Sequence, residues 1–146
     1  MSVRDLLRHK GKSLITVGPR AELAAAIRVL VSNDIGGLPV IGQDGVAVGF
    51  LSEKDVVRAL HENHGTIQHL RVADVMKPAP SCDGDDTLEH AMRRMTGRHL
   101  RHLLVQENGH PVGVISVGDM VKHRLYELET EAGVLRDYVA AHRASR

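Results

Sequence analysis

The sequence predicts an α+β fold in which two β-α-β-β-α repeats pack as a pseudo-twofold pair, with a long helix added at the C-terminus. Three observations carry this. The chain repeats itself at a nearly constant offset. Each copy alternates short apolar runs, turn signals and helix-period stretches. After Asp119 the chain has no proline and carries a regular apolar stripe.

The repeat is read residue by residue. Ile35-Gly36-Gly37-Leu38-Pro39-Val40-Ile41 sets against Leu100-Arg101-His102-Leu103-Leu104-Val105-Gln106, a shift of 65. Val48-Gly49-Phe50-Leu51-Ser52-Glu53-Lys54-Asp55 sets against Val112-Gly113-Val114-Ile115-Ser116-Val117-Gly118-Asp119 at 64, so one residue near Gly42 has no counterpart. Val3-Arg4-Asp5-Leu6-Leu7 resembles Val72-Ala73-Asp74-Val75-Met76 at 69, which puts four extra residues in the first copy near Gly11.

The elements follow in order. Leu14 to Val17 reads as a short strand, broken by Gly18-Pro19. Ala21 to Val31 places Leu23, Ala26, Ile27 and Leu30 on one helical face, and Asn33-Asp34 ends it. Leu38 to Ile41 and Val46 to Leu51 are strands joined at Asp44-Gly45, because glycine tolerates the positive φ of a hairpin turn. Ser52 stands at an N-cap before a helix from about Glu53 to Leu60. The second copy reads the same way, with Asn108-Gly109 as its turn. A unit of ~60 residues with one small sheet buries too little surface to stand alone, so each is expected to cover the other. In the last segment, Val121, Leu125, Leu128, Ala132, Leu135 and Val139 are spaced 4, 3, 4, 3 and 4, a heptad stripe that predicts a homodimer assisted by this helix. The same stripe would also suit a helix folded back on its own repeat.

Composition narrows the function. Apolar residues make up 42% and charged residues 25%, ordinary for a globular protein, while aromatics are only 2%. A net charge of +1 argues against a general nucleic-acid binder. The lone Cys82 excludes a disulfide framework and a cysteine-rich zinc site. No apolar run reaches the ~18 residues of a membrane span, and no signal-peptide pattern opens the chain, so a cytoplasmic protein is expected. Gly11-Lys12-Ser13 echoes the end of a phosphate-binding loop, but Leu6 stands where that loop needs glycine. His61 with His64, and His99 with His102, have ligand spacing but nothing to complete a metal set. No catalytic constellation is found, and no enzyme is expected.

The pattern hydrophobic-Pro-Val, a glycine turn, then Gly-hydrophobic-hydrophobic-Ser-x-x-Asp resembles the CBS (cystathionine beta-synthase) domain family, in its stand-alone bacterial form with two tandem repeats. It runs from Leu38-Pro39-Val40 to Ser52-Glu53-Lys54-Asp55 and returns at Ser116-Val117-Gly118-Asp119. Leu104 departs from the usual proline and Leu6-Leu7 from the usual hydrophobic-Met. The resemblance implies repeat 1 over 1–64, a linker over 65–70, repeat 2 over 71–125, and a helix over 119–142 extending from it.

It also implies a regulatory module with two clefts between its repeats that sense AMP, ADP, ATP or NAD(H). One cleft would set Asp119 and Ser116 facing Lys12, Ser13, Ile15, Gly36 and Gly37. The other would set Asp55 and Ser52 facing Pro80, Arg101 and His102. The aspartates would take ribose hydroxyls, the serines would donate to phosphate beside a helix N-terminus, Gly36 and Gly37 would admit a flat base, and Arg101 would hold phosphate. Each position has a structural reading as well. The Asp and Ser side chains can cap their own helices, and Lys12, Arg101 and His102 can be solvated surface groups. The alternative function is an interaction or dimerisation module with no nucleotide, and the expected partners are a second copy and an unidentified regulated protein, with neither nucleic acid nor membrane.

Overall fold

The computed structural model describes residues 1–11 and 14–144. Repeat 1 comprises helix α1 (Val3–Lys10), helix α2 (Leu23–Asn33), strands β1 (Gly37–Ile41) and β2 (Ala47–Ser52), and helix α3 (Glu53–Glu62). Repeat 2 comprises the short helix α4 (Val72–Val75), strand β3 (Ser81–Asp83), helix α5 (Leu88–Gly97), strands β4 (His102–Glu107) and β5 (His110–Ser116), and helix α6 (Val117–Ala144). β1 and β2 pair antiparallel, β4 and β5 pair antiparallel, and β3 joins β4 in parallel.

Local chemistry sets the boundaries. α2 ends where Asp34 turns left-handed at φ 51°, a conformation its short polar side chain tolerates. The β4–β5 turn holds Asn108 at φ 52° and Gly109 at φ 76°, the two positive values a two-residue hairpin loop of this kind requires. Ser52 caps α3: its Oγ accepts from the Asp55 N–H at 3.2 Å, and the Asp55 carboxylate accepts from the Ser52 N–H at 2.9 Å.

The predicted strand over Leu14 to Val17 shrinks to one bridge, Val17 to Val40. Proline chemistry explains the loss. Val17 N–H donates to Pro39 and Val17 carbonyl accepts from Ile41. The next rung would need an N–H from Pro39, which has none. In repeat 2 Leu104 stands at that place, its N–H donates to the Pro80 carbonyl at 2.8 Å, and the third strand forms.

Two features escaped the sequence. Each repeat opens with a helix, and each of these helices crosses to the other repeat. Val3 and Leu6 of α1 join the core of repeat 2 with Cys82, Leu88, Ala91, Met95, Leu103, Val105, Ile115 and Met120. Val72 of α4, with Val75 and Met76 beside it, closes the core of repeat 1 over Leu23, Ala26, Leu30, Leu38, Val40, Leu51, Val56 and Ala59. The exchange obeys the pseudo-twofold, because Ser2 bridges Thr87 as Arg71 bridges Glu22. The signals were present in Ser2-Val3-Arg4-Asp5, a capping box opening a turn with apolar residues three apart.

Candidate functional site

A cleft of about 210 Å³ lies between the repeats. One wall is the inner side of α1 with Leu7 and Lys10, continued by Leu14 and Ile15. A second is the loop Asp34-Ile35-Gly36-Gly37 entering β1. The third comes from repeat 2: His102, Gly113, Val114, Ser116 and Asp119. α1 approaches β5 closely enough that a Cβ added at Gly113 would lie 2.7 Å from Leu7 Cδ2, so a larger residue there would push the Leu7 side chain aside.

Asp119 is the chemical centre. Its Oδ2 accepts from the Ser116 N–H at 2.9 Å and from Lys10 Nζ at 2.8 Å, and its own N–H donates to Ser116 Oγ at 3.1 Å. Lys10 Nζ also donates to the Val114 carbonyl at 2.8 Å. Among the described residues, these hydrogen bonds to the carboxylate all fall on Oδ2, and Asp119 lines the cleft. Burial pushes the Asp119 carboxyl up, but the Lys10 and Ser116 hydrogen bonds and the Lys10 charge outweigh it, so its pKa falls below the usual carboxylate value. The group is therefore a fixed anion at neutral pH.

His102 stands opposite, its ring 5.4 Å from that of Phe50 and tilted by 38°. Burial, then the Lys10 charge, lowers its pKa against the opposing pull of Glu53 and Asp119, so the imidazole is neutral at pH 7. A Cβ added at Gly37 would meet Phe50 Cε1 at 2.5 Å, so the space beside this glycine is filled by the protein's own ring.

The structure thus brings together Asp119, Ser116, Ile15, Gly36 and Gly37. Lys12 and Ser13 lie outside the described residues. His102, expected beside Asp55, lines the Asp119 cleft instead, because β4 runs its first residue under the Gly36-Gly37 loop. Lys10 and Leu7 were missed, since nothing in the local pattern carries α1 across to repeat 2; their spacing of one helical turn is the only signal.

The other expected set is arranged differently. Asp55 is 6% exposed, and both its oxygens are engaged. Oδ2 accepts from the N–H and Oγ of Ser52, and Oδ1 accepts from Arg58 Nη1 at 3.0 Å. Arg101 is exposed, with its carbonyl accepting from the Val117 N–H, and Pro80 is half-buried with its carbonyl on Leu104. At the place that Leu7 to Lys10 fill in the first cleft, the chain after α4 turns extended before Pro78, and Lys77 bridges Phe50.

Comparison with known proteins matches the CBS domain model to residues 2–62 and 72–126. A CBS-domain-containing protein of Agrobacterium tumefaciens is 36% identical, with a TM-score of 0.79 over 84% of this chain and 92% of that one. The crystal structure of CBSX2 in complex with AMP is 26% identical, with a TM-score of 0.70 over 86% of this chain and 96% of that one. Inosine-5'-monophosphate dehydrogenase of Methanocaldococcus jannaschii is 30% identical over 79% of this chain, which spans only 22% of that enzyme's length. No helix among the described residues is long and apolar enough to cross a membrane. With both repeats matched and the fold shared, the chain belongs to the CBS domain family.

Proposed function

We propose that this chain is a regulatory module, not an enzyme, that binds one adenine nucleotide in the cleft of Asp119. The observation that carries the reading is the Asp119 carboxylate, held anionic at the start of α6 in the lining of the cleft with Lys10 beside it. An anionic carboxylate of this kind accepts hydrogen bonds from two ribose hydroxyls. Leu7, Ile15 and Ile35 offer apolar surface to a base, and the neutral His102 adds a flat ring. The AMP held by the similar CBSX2 supports this choice of ligand.

Thermal-shift titration with AMP, ADP, ATP and NADH tests the reading. A ligand at one hundred times its dissociation constant should stabilise the fold by about 2.7 kcal/mol. No shift with any of them would sink the nucleotide reading and leave the rival, a dimerisation module with empty clefts. The rival draws on exposed apolar residues at Val31, Val57 and Leu60 of repeat 1 and Met92 and Val121 of repeat 2. We propose that these faces make a homodimer in either case. The module is read as cytoplasmic, acting on a partner protein rather than on nucleic acid or membrane.

A further inference from the structure

Helix α6 continues past residue 126, where the family match ends, to Ala144. The face turned to the body is made by Met120, His123 and Glu127, buried or half-buried. From Leu128 to Arg143 every residue except Gly133 is exposed, so the helix projects as an arm. In proteins most helical stability comes from packing an apolar face, and the arm leaves its apolar face uncovered. The apolar seam of Val121, Leu125, Leu128, Ala132, Leu135 and Val139 lies on the side away from the body, with Leu128 46% and Leu135 63% exposed.

We propose that α6 pairs with α6 of a second copy as a parallel, in-register two-stranded coiled coil; this rests on the homodimer proposed above and assigns its orientation. Charge complementarity argues for it. With Leu125, Ala132 and Val139 at the a positions and Val121, Leu128 and Leu135 at d, Arg124 and Glu131 fall at g, and Glu129 and Arg136 at e. In a parallel pair each g position faces the e position of the following heptad on the other helix. Arg124 then meets the partner's Glu129, and Glu131 meets the partner's Arg136, and the twofold axis repeats both attractions. Among the described residues, the ion pair of Arg124 is a loose exposed contact with Glu127 at 3.7 Å. An antiparallel pair with the same seam keeps Glu129 against the partner's Arg136 but sets Lys122 against the partner's Arg143, a like-charge contact.

The test uses the full chain carrying Val139→Cys, with Cys82 buried and out of reach. Under mild oxidation, a parallel in-register pair cross-links through this a position, whereas antiparallel helices hold the two thiols far apart. Glu129→Lys with Glu131→Lys makes all four g–e contacts repulsive, and Arg124→Glu with Arg136→Glu does the same with the other sign. Each double variant alone should lose dimer affinity roughly tenfold or more, and an equimolar mixture should regain it as a heterodimer. Circular dichroism of each variant confirms that it is folded. A monomer by sedimentation overturns both this pairing and the homodimer. A dimer that fails to cross-link, or one that cross-links as well with either set of charge changes, overturns the coiled coil and leaves a dimer made by the repeats.

Discussion

Asp55 and Asp119 hold the same place in their repeats, and both cap the helix that follows. Their difference is one neighbour. Arg58, a turn further along α3, reaches back to Asp55 Oδ1, whereas Asp119 receives Lys10 from another helix on the oxygen already used for capping. A hydrogen bond to a charged group is worth ~1.5–3 kcal/mol, so Asp119→Ala should weaken AMP binding roughly 10- to 100-fold. Asp55→Ala should leave the affinity alone and lower stability, by about 1 kcal/mol for the lost cap. Calorimetry and urea denaturation of the two variants read the contrast, and an equal loss of affinity would show that Asp55 holds ligand as well.

His102 gives a pH prediction at the same scale. Its folded pKa lies below its unfolded value, so the unfolded chain binds the proton more readily. The stability that comes from burying the neutral ring is present above the unfolded pKa, near 6.5, and is lost as pH falls from there toward the folded pKa. Melting temperature should therefore drop between pH 7.5 and pH 5.5, and His102→Gln should flatten that drop. An unchanged slope in the variant would assign it to other histidines. The thiol of Cys82, pushed up to about 11 by burial, is inert across this range.

At the scale of the element, the two sheets differ because one residue does. Leu104 donates to Pro80 where Pro39 cannot donate to Ile15, so repeat 2 has three strands and repeat 1 has two. Leu104→Pro should erase the β3–β4 rung and leave the Pro80 carbonyl without its donor, costing about 1–3 kcal/mol by denaturant unfolding. A neutral substitution would mean that the third strand is held by side chains alone. Strand alternation, the Asn108-Gly109 turn and the Ser52 and Ser116 caps were all legible, because each depends on residues within one or two turns of chain. The failed rung was half legible: the missing donor is visible in Pro39, but its position on the ladder emerges only once the register is known.

At the scale of the molecule, the crossed helices make the two repeats one folding unit. Leu6 belongs by chain position to repeat 1 and by packing to repeat 2. Leu6→Ala should cost about 2–5 kcal/mol, the range for a buried leucine. Because each core is completed by the other repeat, unfolding should stay a single transition with coincident probes. Two separated transitions would mean that the repeats are stable apart.

The sequence by itself determined the number of repeats, the hairpin and the helices on either side of it in each, the capping aspartates and the apolar stripe of α6. These are written in spacing, turn chemistry and periodicity, and all act over short stretches of chain. Only the tertiary structure decided which aspartate faces an open cleft. Lys10, His102 and Asp119 are far apart in the chain, and they meet because α1 leaves its own repeat to bury Val3 and Leu6 in the other. Hydrophobic burial is non-directional, so an apolar turn such as Val3 to Leu6 records that it must be covered but not by which core. That choice is made by fit and by the backbone bonds of Val3 and Arg4 to Asp86 and Gly84, and it carries the charge of Lys10 into the cleft.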